Sequence, residues 1–227
     1  MYYGRMCALM RVTTQGVEMG FAPIKQGHGV GHVRAPAGNH IAVCVGLIDL
    51  GTQWQDPFQG GAGGDKGHWA HKVYMVWELV NERIAGTEKN HVIACDLTLS
   101  LHEKAKFRHI VEGRTGKRLS AESEVDPAAE LGQACMLNVL EKNGYPRVST
   151  VGALPKGIPV GKASYPLTSV TIEAFISGAA VVPEWVPYLF GCSVEDHMRA
   201  SQEMGGPKPV SKGKGSAPPP PSAPIPF

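Results

Sequence analysis

Cysteines are few in this sequence, and long hydrophobic runs are missing. The five cysteines are far apart along the 227 residues: Cys7, Cys44, Cys95, Cys135 and Cys192. An odd number of scattered cysteines argues against a disulfide framework, so we expect reduced thiols and a cytoplasmic location. The apolar stretch at residues 41–50 is far too short to cross a bilayer. The sequence therefore predicts neither a secreted disulfide-rich protein nor a membrane protein.

Recognisable catalytic and cofactor motifs are also missing. His68 and His71 are separated by two residues, but no HExxH, CxxC or acidic cluster accompanies them. The glycine-rich residues 59–68 lack the GxxxxGK[ST] pattern of a phosphate-binding loop. No Ser/His/Asp or Cys/His combination can be assigned. We therefore expect a protein that is not an enzyme and that uses no cofactor or metal.

Glycine and proline, in contrast, are abundant. The chain has 28 Gly and 18 Pro, which concentrate in residues 27–38, 51–67 and 205–227 and predict loops or tails there. We expect residues 1–35 to form an N-terminal extension that is partly flexible, and residues 36–204 to form the folded domain. Residues 205–227 combine prolines with lysines and few large apolar side chains, which predicts a disordered tail.

The hydrophobic pattern of the folded region predicts a mainly β domain. Its predicted elements, in chain order, are strands at residues 40–50, 71–80 and 91–101, a helix at 103–113, and strands at 134–140 and 145–153. Gly46 predicts a bulge in the first strand, Gly113 the end of the helix, and Asn143-Gly144 a tight hairpin turn. Three strands, a helix and two strands are the order of a five-stranded OB-fold barrel, here followed by short C-terminal helices.

The second predicted strand alternates between two kinds of side chain. Val73, Met75 and Trp77 fall on one face, which we expect to be core. Lys72 and Tyr74 fall on the other face, which we expect to point outward. A cation beside an aromatic ring suits phosphate contact and base stacking, so this face is a predicted nucleic-acid surface.

A strongly basic segment follows the third predicted strand. Residues 104–118 carry one acidic residue, Glu112, and six basic ones: Lys104, Lys106, Arg108, Arg114, Lys117 and Arg118. Such a cluster attracts phosphates, although a helix face that is merely solvated is the alternative interpretation. Four more candidate contacts lie outside it, one cation for phosphates and three aromatic residues for bases: Arg147, Trp54, Trp69 and Tyr145.

Five segments together carry a resemblance to a known family. They are PAGNHIAVCVGLIDLGTQ (residues 36–53), HKVYMVWEL (71–79), LTLSLHEKAKFRHIVEGRTGK (97–117), LGQACMLNVLEKNGYPRVSTVGALPKG (131–157) and PEWVPYLFGCS (183–193). In this order and spacing they resemble phage and prophage single-stranded DNA-binding proteins of replication and recombination modules. The resemblance implies an OB-fold that binds single-stranded DNA in the bacterial host cytoplasm.

The last three residues, Ile225, Pro226 and Phe227, are similar to the C-terminal tip of bacterial single-stranded DNA-binding proteins. In that family the tip docks replication and repair proteins, with its aromatic ring in an apolar pocket. The similarity implies a partner-binding tip. This chain departs from the family pattern because no Asp or Glu follows Glu203.

The sequence therefore predicts a sequence-tolerant single-stranded DNA-binding protein, a homo-oligomer such as a dimer, without membrane association. Two alternatives stay open. A protein–protein adaptor could use the barrel edge and prolines 218–221, and it would show no salt-dependent affinity for oligonucleotides. A strand-annealing recombination protein would accelerate the pairing of complementary strands and form large rings.

Overall fold

Strands dominate the computed structural model, which describes residues 33–56 and 67–206. The elements are β1 (Gly38–Gln55), β2 (His68–Arg83), β3 (Asn90–Thr98), α1 (Lys106–Thr115), a 3-10 turn (Pro127–Glu130), β4 (Ala134–Lys142), β5 (Tyr145–Gly152), β6 (Thr168–Val170), α2 (Ile172–Ile176) and α3 (Val194–Arg199). The predicted mainly β fold with few helices is confirmed. Residues 1–32 and 207–227, with the predicted tip Ile225, Pro226 and Phe227, lie outside the described residues.

The strands form one six-stranded sheet in the order β3-β2-β1-β4-β5, in which all these neighbours are antiparallel and β6 pairs in parallel with β1. β1 is long because it pairs with β2 along most of its length and with β4 near its start. The predicted bulge at Gly46 is confirmed by a register shift between Cys44 and Gly46. No ladder joins β3 to β5 within the described residues, so the sheet is not closed.

The inner face of the sheet packs against α1. Phe107, Ile110 and Val111 are buried on the helix and pack with the buried side chains of the sheet, among them Met75 and Trp77. The sequence pattern of α1 predicted this apolar face.

The predicted end of α1 at Gly113 is wrong. The helix continues to Thr115, and Gly116, whose φ of 66° is left-handed, is its C-cap. Gly113 instead allows close packing, since a Cβ there would overlap the carbonyl oxygen of Val151 on β5.

Residues 163–203, which we call the cover, pack on the opposite face of β1 and β2. There Ile48, Tyr74 and Val76 are buried together with Ile172 and Met198 of the later helices. The predicted outward orientation of Tyr74 is wrong, because 2% of this residue is exposed. Alternation along a strand separates two faces, but it does not show that a second layer buries the other one.

Two carboxylates attach this cover to the sheet. Glu78, fully buried on β2, accepts hydrogen bonds from Asn90 Nδ2 (2.6 Å), Ser164 N (2.7 Å) and Ser164 Oγ (2.6 Å). Glu203 accepts from the backbone N (2.8 Å) and Oγ1 (2.6 Å) of Thr52 near the end of β1. Burial raises the pKa of Glu203, but these hydrogen bonds outweigh it and hold the pKa below its usual value. The cover is thus joined to the sheet by polar as well as apolar contacts.

The β4–β5 connection is a tight turn, as predicted. Asn143 and Gly144 have φ of 55° and 75°, the left-handed values that a type I′ turn requires at both central residues. None of the helices within residues 33–56 and 67–206 has the length and apolar character to span a membrane.

Candidate nucleic-acid interface

The outward face of the β4–β5 hairpin combines an exposed aromatic ring with cations. Cross-strand pairing sets Lys142 opposite Tyr145 and Leu140 opposite Arg147, and directly opposed residues lie on the same side of a sheet. All four are exposed, Leu140 to 53% and Tyr145 to 51%. We call these four residues, with Asn138, the hairpin face. It offers a ring, an apolar side chain and two positive charges to solvent.

Arg34 adds a third cation to the hairpin face. Its guanidinium carbon lies 4.7 Å from the centroid of the Tyr145 ring, and its Nη1 donates a hydrogen bond of 2.7 Å to the carbonyl oxygen of Gly144. The contact is a cation–π interaction that steadies the ring. Sequence reasoning missed Arg34, which lies 111 positions before Tyr145 and carries no local signal. It also missed Lys142, which the register of a two-residue hairpin could have placed opposite Tyr145.

An amide pair extends this surface onto β1. Asn138 Nδ2 donates a hydrogen bond of 2.7 Å to Oδ1 of Asn39, its direct cross-strand neighbour. Each amide keeps further donor or acceptor positions, because an Asn side chain can make up to four hydrogen bonds. The pair can therefore contact phosphate, sugar or base edges.

Four of the six predicted cations around α1 are exposed: Lys104, Lys106, Lys117 and Arg118. Lys106 Nζ donates a hydrogen bond of 3.1 Å to the carbonyl oxygen of Val148, the residue after Arg147. The start of α1 therefore lies against β5. Lys117 and Arg118 line an open cleft of about 510 Å³ that extends along α1. The cleft also contains His109 and two acidic residues, Glu103 and Glu112. Exposed cations therefore lie on the hairpin face and, separately, beside α1.

The other two predicted cations, Arg108 and Arg114, make internal contacts. Arg108 Nε bonds Glu112 Oε1 at 2.9 Å, and its other nitrogens donate to the carbonyl oxygens of Leu101 and Leu119. The hydrogen bond from the backbone N–H of Leu119 and the contact with Arg108 lower the pKa of Glu112.

Arg114 forms a bidentate ion pair with Glu130, in which Nε donates to Oε2 at 2.5 Å and Nη2 donates to Oε1 at 2.7 Å. The Glu130 carboxylate is almost completely buried, and its hydrogen bond raises the pKa of Arg114. Both guanidinium groups thus hold α1 in place through internal contacts, and Arg108 also lines the cleft beside α1.

Lys72 and Tyr74 are likewise engaged within the fold. Lys72 Nζ lies 2.7 Å from Asp96 Oδ2, with both side chains largely buried. The Tyr74 hydroxyl donates to the carbonyl oxygen of Pro187 at 3.2 Å. Burial raises the pKa of Tyr74, so the hydroxyl remains a protonated donor. Its ring is covered by the C-terminal residues and presents no face to a base.

Trp54 and Trp69 meet at the far end of the β1–β2 hairpin. They are direct cross-strand partners, with ring centroids 5.5 Å apart and planes at 76°. Both rings are half-buried, and Trp54 Nε1 donates a hydrogen bond of 3.2 Å to Asp56 Oδ1. Trp54 therefore belongs to β1 and packs edge to face with Trp69, whereas its sequence context predicted an exposed loop position.

No group of three or more His, Cys, Asp or Glu side chains within residues 33–56 and 67–206 has the geometry to hold a metal ion. No family model matches the sequence, and no curated protein or solved structure shows significant similarity to it. The function is therefore argued from the hairpin face and its neighbours.

Proposed function

We propose that this protein binds single-stranded DNA with little sequence preference, and that its sheet is an OB-fold. One observation carries the proposal. Tyr145 is exposed on the hairpin face with Arg34, Lys142 and Arg147 around it. An exposed ring among cations suits the two features common to all single strands, which are base faces and phosphates.

The chemistry explains why sequence would matter little. Every base has a face that can stack on Tyr145, and each stacked base contributes roughly 1–3 kcal/mol of binding free energy. Arg147 and Lys142 contact phosphates, which are the same at every nucleotide. A duplex keeps its bases stacked on one another, so it would gain the phosphate contacts and lose the stacking.

The order of elements supports the OB-fold. β1 pairs with both β2 and β4, α1 lies between β3 and β4 in sequence, and β3 comes within 8 Å of β5 between Cα atoms. These features are the ones expected of a partly open five-stranded barrel with a helix beneath it. In such barrels the loop between the fourth and fifth strands borders the ligand, which is where Asn143 and Gly144 lie.

Cations also lie along β5 and where it meets α1. Tyr145 and Arg147 are two residues apart on β5, or about 7 Å along a strand. Lys106 reaches the same strand through its bond to Val148. A single strand laid along β5 would therefore meet a stacking ring first and cations afterwards. In the setting that the family resemblance implies, such binding protects and organises single-stranded DNA during phage replication and recombination.

The test is a fluorescence-anisotropy titration of labelled oligo-dT of about 30 nucleotides at several salt concentrations, with a matched duplex beside it. We expect preference for the single strand and an affinity that falls steeply as salt rises. Arg147→Ala should weaken binding and reduce the salt slope by about 0.7, the value for one single-strand phosphate contact.

Lys162→Ala is the matched control, because it removes an exposed cation from the C-terminal residues and not from the hairpin face. Absence of oligonucleotide binding at low salt would overturn the proposal and favour the adaptor alternative.

A further inference from the structure

Phe190 lies in a tight turn with an unusual backbone. Leu189 and Cys192 exchange two backbone hydrogen bonds, each of 3.0 Å, across Phe190 and Gly191. The φ values of these two central residues are 52° and 82°, both in the left-handed region that a type I′ turn requires. Glycine and asparagine favour that region, whereas an aromatic residue is strained there.

The side chain of Phe190 is also unusually exposed. It is 70% exposed, and its neighbour Tyr188 is 54% exposed. A bulky apolar ring in solvent and a strained backbone are two separate costs at one position. Outliers of this kind persist where the surrounding structure holds them, and they cluster at binding sites.

The surrounding structure does hold this turn. Leu189 is buried beneath it, and His197 Nε2 lies 2.9 Å from the carbonyl oxygen of Leu189. The buried Tyr74 hydroxyl donates to the carbonyl oxygen of Pro187 immediately before the turn. The Phe190 ring meets the His197 ring edge to face, with centroids 6.3 Å apart. The ring is therefore preorganised on the covered side of β2.

The charges beside the turn do not favour a phosphate contact. Arg199, two residues after His197 on α3, forms ion pairs with Glu195 at 3.2 Å and Asp196 at 3.5 Å. Two carboxylates thus face one guanidinium, and Arg199 is not available to a phosphate, unlike the cations of the hairpin face. What the turn offers a ligand is an aromatic surface.

We infer that Phe190, supported by Tyr188, is a second stacking position for a base of the bound single strand. The inference rests on the proposed function and deepens it. In the sheet order, β2 and β5 are three strand spacings apart, about 15 Å. The two sites are also offset along β1, because Tyr145 contacts Arg34 whereas Tyr74 pairs with Ile48, 14 residues later, or roughly 45 Å along an extended strand. An oligonucleotide of tens of nucleotides can contact both.

Phe190→Asn tests this with little risk to the fold, because asparagine accepts the left-handed backbone. We expect the variant to melt at the temperature of the wild type or above it. We expect it to bind oligo-dT of about 30 nucleotides roughly tenfold more weakly, the effect of one lost base stack. The salt slope should stay unchanged, because no phosphate contact is removed.

Two companion variants separate stacking from general surface effects. Phe190→Tyr keeps a ring and should retain wild-type affinity. Val181→Asn removes an apolar side chain that is 72% exposed but not aromatic, and it should bind like the wild type. In the wild-type protein, ultraviolet irradiation with oligo-dT should cross-link the peptide that contains Phe190, as identified by mass spectrometry.

Wild-type affinity in Phe190→Asn, together with no cross-link at this peptide, would overturn the inference while leaving the proposed function intact. An equal loss of affinity in Val181→Asn would overturn it as well. If the wild type binds no oligonucleotide at low salt, the proposed function itself fails, which the same titration shows before any variant is compared.

Discussion

The outer surface of the sheet has two regions, one buried and one exposed. Over β1 and β2 the C-terminal residues bury Ile48, Tyr74 and Val76 under a second apolar layer. Over β4 and β5 that layer is missing from the described residues, and Leu140 and Tyr145 stay exposed. Both regions contain an aromatic residue and a lysine in strands of similar pattern. Packing from distant residues, and not the strand pattern, decides which ring can meet a ligand.

The cations divide in the same way. Arg114 and Arg147 are both arginines in or beside the same small core, but Arg114 pairs with the buried Glu130, while Arg147 faces solvent. A buried ion pair fixes the position and orientation of the elements that carry it, whereas an exposed cation remains available for a phosphate. The predictions below test this division, beginning with the largest effect.

Arg114→Ala should be the most destabilising change. It leaves the Glu130 carboxylate buried without its partner, which costs about 3–5 kcal/mol of unfolding free energy. Urea denaturation followed by circular dichroism measures the loss. Arg147→Ala is the matched control and should change the unfolding free energy by less than about 0.5 kcal/mol. Equal stability of the two variants would contradict the division of the cations.

Met198→Ala and Leu140→Ala compare the two regions directly. Met198 is fully buried in the cover, so its truncation should cost about 2–5 kcal/mol of unfolding free energy. Leu140 is 53% exposed on the hairpin face, and its truncation should cost less than about 0.5 kcal/mol. Thermal melts of both variants provide the measurement. A stable Met198→Ala would show that the cover contributes little to the fold.

Glu78→Gln should loosen one end of the cover. The amide oxygen can still accept from Ser164 and Asn90, but the amide nitrogen takes the place of Oε2 and meets the backbone N–H of Tyr165, which is itself a donor, at a cost of about 1–3 kcal/mol. Hydrogen exchange should accelerate at residues 162–166 more than in α1. Unchanged exchange at Tyr165 would show that the apolar contacts hold this segment without the carboxylate.

Acid should weaken the other end of the cover by a smaller amount. Because the folded pKa of Glu203 lies below its unfolded value, the ionised group stabilises the fold above the unfolded pKa. That stabilisation is lost as the pH falls through the folded pKa. Melting temperatures between pH 6 and pH 3 should therefore fall further for the wild type than for Glu203→Gln. Parallel pH curves for the two proteins would contradict this role of Glu203.

Local sequence determined the strands and the tight turn of this protein. Asn143-Gly144 defined the β4–β5 turn because only residues that tolerate left-handed φ fit both central positions. Gly46 marked the bulge of β1, and the spacing of Phe107, Ile110 and Val111 defined the buried face of α1. The predicted strand bounds were shorter at β1 and β2, since pairing with a partner extends a strand into polar residues such as Gln55 and Arg83.

Tertiary structure alone decided which of these residues remain accessible. Tyr74 and Lys72 alternate as an outward face should, but residues more than ninety positions away bury the ring, and Asp96 neutralises the lysine. Arg34 contacts Tyr145 although more than a hundred positions separate them in the sequence. Phe190 is exposed by a tight turn that the sequence pattern did not predict. Periodicity describes contacts between near neighbours, whereas burial and ion pairing depend on which distant surfaces the chain brings together.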